Sequence, residues 1–335
     1  MSNHTTVVSD MRWPAATGIG LVMDAVVSRK PNNVDIYALD IQGSIGSPLS
    51  PIRLSVAAAK QNTGDVFWSA GFVPPAWCNI PSVVTVHDLT HLHYYGPAKK
   101  LYYQTVFRPL YKRMKAVICV SEFTRCEFLE WSGMDPSLVH TVHNGSDPAF
   151  AANRRALDLG YPFVLYPGNH RSYKNLQRLI RAYAISALPN MGVHLAMTGR
   201  PNPEVDALAL ELGVADKVHA LGFIEQADVP ALYRAAEAIA YVSLYEGFGL
   251  PIIEGMASET PVLTSNVSAM PEVAGEAAVL VDPLNVEAIA HGLDRIVTDT
   301  ELRGRLSVAG LKRLEDFDWN RSAADVWNIV SGVKS

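Results

Sequence analysis

The stretch SLYEGFGLPIIEG (residues 243–255) links a short apolar run, AIAYVSL (238–244), to a helical pattern through a glycine-bearing loop. The run is apolar, contains an aromatic residue and is too short to favour a helix, so it reads as a buried strand. Pro251 suits the first turn of a helix, where a missing N–H costs nothing, and IIEGMA continues in helical register. Glu246 therefore falls in a strand-to-helix loop and Glu254 about one turn into the helix. Gly247 and Gly249 let backbone N–H groups approach a ligand at the positive end of the helix dipole. Carboxylates on either side do not attract phosphate, but they accept hydrogen bonds from paired hydroxyls such as those of a ribose or a hexose. The combination implies an anionic ligand that also carries sugars.

Working outward, short β-rich runs alternate with helical patterns along the whole chain. Six occur in the first half, near 6–8, 34–39, 65–68, 82–86, 116–120 and 139–142. Six more follow near 163–168, 193–199, 217–221, 238–242, 260–265 and 277–281. The clearest helical pattern is KNLQRLIRAYAISAL (174–188), with Leu176, Leu179, Ile180 and Tyr183 on one stripe. Asp228 is an expected N-cap for the helix that holds Pro230. Alternation of this kind implies parallel sheets covered on both faces, and twelve strands in two sets imply two doubly wound domains. The turn-rich segment 144–162 marks the boundary. The expected division is 1–155, 156–318 and a final helix, 319–335, that crosses back onto the first domain. Ligands of such sheets bind at the carboxyl ends of the strands, so two domains facing one another are expected to enclose a cleft.

Composition narrows the functional classes. The chain has 335 residues, 49% hydrophobic, a size and composition that suit two globular domains. A formal charge of −5 argues against a nucleic-acid partner. Cys78, Cys119 and Cys126 are odd in number and scattered, which suits a reduced, cytoplasmic setting. The N-terminal MSNHTTVVSDMRWP lacks the basic start and apolar core of a signal peptide. No apolar run approaches the ~18–20 residues that cross a bilayer.

Four other segments carry candidate chemistry. Thr17–Gly20 (TGIG), with Asp40 about 20 residues on, is half of a dinucleotide fingerprint, but Met23 replaces the third glycine. It reads as a ligand-facing loop, a nicotinamide or flavin site, or an ordinary tight turn. HDLTHLHYY (87–95) places His87 and Asp88 at a strand's carboxyl end. His87 is expected to contact substrate and His91 and His93 to be structural; a metal reading finds little support, because zinc ligands favour helix-spaced pairs. In YPGNHRSYKN (166–175), Gly168 permits a tight turn, and Arg171 and Lys174 bring positive charge to the end of a strand. Lys174 there opens the next helix, and a diphosphate is its natural partner. In residues 97–116, Tyr103, Phe107, Leu110 and Met114 form a stripe beside Lys99, Lys100, Arg108, Lys112, Arg113 and Lys115. That pattern fits either a solvated surface helix or one lying on anionic lipid. DFD (316–318) reads as a helix cap rather than a metal motif.

SLYEGFGLPIIEGMA followed by TPVLTSNVSAMPEVAGEAAVLVDP resembles the C-terminal core of the family 4 glycosyltransferases, retaining enzymes of the GT-B fold. VTVHDL, VSEFTRCEFL, VHNGSD, LYPGNHRSYKN and LGFIEQADVPALYRAA resemble that family too, in the same order, so the resemblance covers nearly the whole chain. It implies an N-terminal acceptor-binding domain and a C-terminal nucleotide-sugar domain. Glu254 would accept the ribose hydroxyls. Glu246, with the backbone N–H groups of Gly247, Phe248, Gly249 and Leu250, would hold the transferred sugar and the diphosphate. Lys174 matches the lysine that neutralises the diphosphate, and His87 the histidine near the reacting end of the sugar. Gly18 and Gly20 match the glycine loop on the acceptor and phosphate side. Asn169 stands where many members carry arginine; either Arg171 supplies that charge from two places further on, or the donor is held differently. Glu259 stands where glycine is usual, and Gly255 where alanine is.

The resemblance implies retaining transfer of a hexose from a nucleoside diphosphate sugar, with neither cofactor nor metal. The first-choice donor is GDP-mannose, by likeness to bacterial polysaccharide mannosyltransferases. UDP- or dTDP-activated glucose, N-acetylhexosamine or rhamnose are the alternatives. The expected acceptor is a cell-surface glycan or lipid-linked sugar, met on the inner face of the cell membrane through residues 97–116. Two other classes stay open: a nicotinamide-dependent oxidoreductase built on TGIG, and a catalytically silent sugar-nucleotide-binding protein.

Overall fold

The computed structural model describes residues 4–14, 17–61 and 64–334. The first three residues of the stretch inspected for a targeting signal lie outside them. The chain divides into two units, one formed by Met1–Gly145 with Asp318–Ser335 and the other by Ser146–Phe317.

The first unit holds a six-stranded sheet of β1 (Thr5–Asp10), β2 (Val34–Ala38), β3 (Val66–Ser69), β4 (Ser82–Val86), β5 (Ala116–Cys119) and β6 (Val139–Thr141), ordered β2-β1-β3-β4-β5-β6. The second holds β7 (Phe163–Tyr166), β8 (His194–Met197), β9 (Val218–Ala220), β10 (Ala238–Tyr241), β11 (Val262–Ser265) and β12 (Val279–Val281), ordered β12-β11-β10-β7-β8-β9. Every strand pairing is parallel. All twelve of these strands fall on runs read from sequence; the central ones, such as β3, β4, β7 and β10, are buried on both faces and keep apolar residues at nearly every position.

Successive side chains feed opposite faces, as the two-residue period requires. In the first unit Val83, Ala116 and Ile118 pack with Val22, Met23 and Val26 of the helix Gly18–Val27. Val84, Val117 and Cys119 pack on the other face with Leu54, Tyr111 and Phe128. The C-terminal helix Trp319–Gly332 completes the first of these layers. Trp327 is fully buried, meets Trp68 edge-on at 5.1 Å between ring centroids, and donates its indole N–H to Val26 O at 3.0 Å. Asp318 caps that helix by accepting from the Asn320 amide, the role expected of DFD. Gly145 lies so close to this helix that a Cβ would sit 2.4 Å from the Trp319 nitrogen.

Three local expectations are corrected. Lys174 does not open a helix: it ends a 3₁₀ turn, Ser172–Lys174, and the helix begins at Leu176. Asn175 separates the two in a left-handed conformation (φ 62°), its side-chain amide donating to Val242 O at 2.9 Å and Pro283 O at 2.8 Å. Asp228 occupies the N-cap position without a capping hydrogen bond, because its carboxylate pairs with Arg155. The stripe on 97–116 is not a lipid-facing stripe: Tyr103, Phe107 and Met114 are core residues of the first unit. A π-helical turn over Tyr103–Phe107 interrupts the expected helix.

Candidate active site

β7 and β10 lie side by side, with Val164 opposite Ala238, although β8 and β9 intervene in sequence. The chain leaves β7 toward one edge of the sheet and β10 toward the other, which makes the carboxyl ends of these strands the topological switch point. The loops after them carry Lys174 and Glu246, and the Leu244 amide ties the two together by donating to Tyr173 O at 2.7 Å.

Lys174 Nζ donates to Glu246 Oε1 at 2.8 Å and to the Tyr241 hydroxyl at 2.7 Å. Both charged side chains are only 12% exposed. The Tyr241 hydroxyl in turn bonds Glu246, and burial together with that carboxylate pushes its pKa far above the ordinary phenol value. Tyr241 is thus a neutral hydroxyl wedged between two charges. An ammonium carries three N–H groups, and two are committed here. The Glu246 backbone is fixed as well: its amide donates to Ser268 Oγ at 3.1 Å, with Ser268 itself in a left-handed conformation (φ 54°).

Beyond Glu246 the loop turns through Gly247 and Gly249 into the helix Leu250–Ala257, with Pro251 in its first turn. Gly249 has φ 104°, a conformation that strains any residue bearing a Cβ. Phe248 turns its ring inward, edge-on to Phe317 at 5.6 Å. The amides of Gly249 and Leu250 are not used in the helix ladder, which begins with the Ile252 amide on Gly249 O at 3.0 Å.

Glu254, one turn into this helix, accepts from the Tyr233 hydroxyl through Oε2 at 2.6 Å. Desolvation raises its carboxyl from 4.5 to about 7, a shift that the Tyr233 bond only partly offsets. Near neutrality Glu254 is therefore poised between its two protonation states, and each donor that approaches Oε1 favours the ionised one.

The loop after β7 is held from behind. Gly168 (φ 146°) donates to Thr198 Oγ1 at 2.8 Å, and the Tyr166 hydroxyl donates to Asn169 O at 2.7 Å. The Asn169 side chain accepts from the Arg171 amide at 3.2 Å, and both residues are exposed. Asn169 thus shapes the turn beneath Arg171.

In the first unit His87 follows β4 and pairs through Nε2 with Ala70 O, just past β3, at 2.7 Å. A carbonyl only accepts, so Nε2 carries the proton and Nδ1 is an acceptor. Burial lowers the His87 pKa, which keeps the ring neutral at neutral pH. Gly18 opens the helix Gly18–Val27 next to Thr17, whose hydroxyl caps it by accepting from the Gly20 amide at 3.1 Å. Gly20 is buried, whereas Gly18 is exposed and has nothing within 4 Å of where a Cβ would lie. Met23 fills core space where a dinucleotide fingerprint needs a glycine. His91 is buried, stacks on Tyr103 at 3.7 Å and has its pKa lowered to about 4, so it acts as a core ring.

The structure therefore brings Lys174 and Glu246 into direct contact. It sets Glu254 apart on its own partner, Tyr233. Tyr241, Ser268 and Tyr233 were missed from sequence, since a tyrosine closing an apolar strand looks like any core residue. The only available signal was position: Tyr241 is the last residue of the strand that opens onto the glycine loop.

Comparison with known proteins gives this geometry a context. Residues 29–150 match the family model described as Glycosyltransferase Family 4, and residues 150–313 match Glycosyl transferases group 1. The O-antigen chain mannosyltransferase B of Escherichia coli is 29% identical over 265 residues, covering 74% of this chain and 69% of that protein. The MMP alpha-(1->4)-mannosyltransferase of Mycolicibacterium hassiacum is 29% identical over 218 residues, and the aligned part is 53% of its length. Anabaena Alr3699/HepE, solved in complex with UDP and glucose, superposes with a TM-score of 0.78 at 18% identity, over 98% of this chain and all of that one, a likeness of fold alone. The nicotinamide-dependent oxidoreductase reading gives way to the two family-model matches, both to glycosyltransferases. Matched end to end by the two models from residue 29 to residue 313, the chain belongs to the family 4 glycosyltransferases of GT-B fold.

Proposed function

We propose that the protein transfers a hexose, with retention of anomeric configuration, from a nucleoside diphosphate sugar to a hydroxyl of a cell-surface glycan or lipid-linked acceptor. The observation that carries this reading is the Lys174–Glu246–Tyr241 cluster at the switch point, beside the N-terminus of Leu250–Ala257. The uncommitted N–H of Lys174 and the amides of Gly249 and Leu250 suit a diphosphate, with Arg171 adding charge at the rim. Glu246 keeps acceptor capacity for a sugar hydroxyl, and Glu254 Oε1 for the ribose.

In this mechanism the bond from the anomeric carbon to the diphosphate breaks, and Lys174 with the helix amides stabilises the negative charge on the leaving oxygen. The acceptor hydroxyl attacks the same face, and its proton passes to that phosphate oxygen. His87, neutral and with Nδ1 as acceptor, is assigned to a hydroxyl near the reacting end of the sugar, with Gly18 and Gly20 on the acceptor side. No metal or cofactor enters the reaction on this reading.

GDP-mannose is the preferred donor, supported by the two mannosyltransferase relatives. A UDP-sugar is the second reading, favoured by the UDP and glucose bound in the Anabaena neighbour. A screen of GDP-, UDP- and dTDP-sugars by thermal shift and slow hydrolysis tests both. A GDP-mannose-specific response supports the first, and a UDP-sugar-specific response the second. If no sugar nucleotide shifts the melting temperature or is consumed, the proposal fails. NMR of the new anomeric linkage then tests retention.

A further inference from the structure

β6 ends the sheet of the first unit, so no further strand pairs with its outer side. A helix flanks that edge on each face of the sheet: Glu122–Ser132, which packs through Phe128, and the C-terminal helix, which packs through Trp327. Between them an open groove of about 520 Å³ runs along β6. That volume lies within the ~300–1,000 Å³ of small-molecule sites. Every residue lining the groove belongs to the first unit, and none takes part in the site at Lys174.

One wall of the groove is already saturated. Arg125 donates through Nε to Val139 O at 2.8 Å, through Nη1 to Glu122 Oε1 at 2.9 Å and through Nη2 to Pro136 O at 3.3 Å. The other oxygen of Glu122 accepts from Thr141 Oγ1 at 2.6 Å. The opposite wall is not saturated. Asp325 and Asn328 stand one turn apart on the C-terminal helix, and neither side chain has a hydrogen-bond partner among the described residues. The ring of His140, in the middle of β6, has none there either. Burial, with the Arg125 charge nearby, lowers the His140 pKa. The ring is therefore neutral at neutral pH and offers one donor and one acceptor. Ile329 and Val142 add apolar surface to the lining.

We propose that this edge groove is a second saccharide site, which takes units of a neutral glycan. An anion would face Asp325, while Arg125, the one cation among the described lining residues, is spent on Glu122 and two carbonyls. A metal ion would find Asp325 without companions, since the described residues hold no His, Cys, Asp or Glu group suited to one. An apolar ligand would bury Asp325 and Asn328 unpaired, at a desolvation cost. A peptide strand added along β6 would have to displace Arg125 from Val139 O. Sugar hydroxyls both donate and accept, which answers all three unpartnered side chains. They donate to the Asp325 carboxylate, exchange paired bonds with the Asn328 amide and do either with neutral His140. The C–H face of the sugar ring then lies on Ile329 and Val142. The site depends neither on the donor nor on the chemistry at Lys174. In the transferase proposed above it would keep a glycan on the protein between successive transfers.

The test is ligand-observed NMR titration of the full chain with mannotetraose, maltotetraose and cellotetraose, and with anionic tetragalacturonate for comparison. No sugar nucleotide is present, so a negative result leaves the donor screen untouched. At least one neutral tetrasaccharide is expected to bind, and tetragalacturonate at least about 10-fold more weakly. Asp325→Ala is expected to weaken the neutral ligand about 10-fold, and Asn328→Ala about fivefold. Both positions are exposed, so folding is checked by an unchanged melting temperature. Asp206→Ala, which removes an exposed carboxylate from the second unit, is the control and is expected to bind like the parent. The proposal is overturned if no neutral tetrasaccharide binds, or if tetragalacturonate binds as tightly. It is overturned equally if binding survives both groove changes, because the sugar then sits elsewhere.

Discussion

Lys174 spends two of its three donors inside the protein, on Glu246 and Tyr241, and that arrangement makes Tyr241 testable. Phenylalanine at 241 keeps the ring and removes the hydroxyl wedged between the charges. A hydrogen bond to a charged group is worth about 1.5–3 kcal/mol, so Tyr241→Phe is expected to lower turnover about 10-fold or more. The donor's apparent affinity should change less, which a kcat-against-KM comparison reads directly. Glu254 gives a pH signature. Its folded carboxyl keeps a proton up to about pH 7, while the unfolded one releases it near 4.5. The unfolded chain therefore binds fewer protons in that window, and the empty protein loses stability as pH rises through it. Glu254→Gln lacks this loss, so its melting temperature relative to the parent should rise from about pH 5 to about pH 8. Its affinity for nucleotide should fall at the same time. A melting difference independent of pH would show that the carboxyl is not desolvated as described.

At the scale of elements, the helix Leu250–Ala257 explains two of the three departures from the family pattern, Glu259 and Gly255. It ends with the Thr260 amide on Gly255 O at 2.9 Å and the Glu259 amide on Met256 O at 3.0 Å, a Schellman ending that requires a left-handed residue at 259. Glu259 takes that conformation (φ 57°) without being glycine, and its side chain reaches Arg234 at 3.3 Å and Arg154 at 3.5 Å. Glu259→Ala loses those pairs and keeps the strain, whereas Glu259→Gly loses the pairs and relieves it. The glycine variant is expected to be about 1 kcal/mol more stable than the alanine one in urea unfolding. Gly255 has a separate cause: a Cβ there would lie 2.7 Å from Val262 Cγ2 and 3.0 Å from Ile239 Cγ1. The strands beneath this helix were legible because each is a short apolar run between turn residues. The left-handed turn at Glu259 was not, since glutamate does not announce a positive φ; asparagine tolerates one, but Asn175 sits inside a run that reads as continuous helix from Lys174. The π-helical turn at Tyr103–Phe107 was hidden for a similar reason, because its aromatic spacing also fits an amphipathic surface helix. The contact between Lys174 and Glu246 joins residues 72 positions apart, and only the resemblance had put them at one ligand.

Across the whole molecule, the C-terminal helix is a structural part of the first unit although 172 residues of the second unit precede it in sequence. Trp327→Ala empties the space beside Trp68 and removes the bond to Val26 O, and it is expected to cost about 3–5 kcal/mol. Denaturant unfolding should show this as an earlier transition of the first unit. The same scale holds the central claim, that an activated sugar is gripped through its diphosphate at Lys174. The most direct measurement is the rate at which parent and Lys174→Ala consume the donor found by screening, normalised to folded protein by melting and circular dichroism. Loss of this charge-stabilising donor is expected to slow turnover at least about 100-fold in the folded variant. Consumption of that sugar nucleotide at the parent rate by folded Lys174→Ala would contradict it.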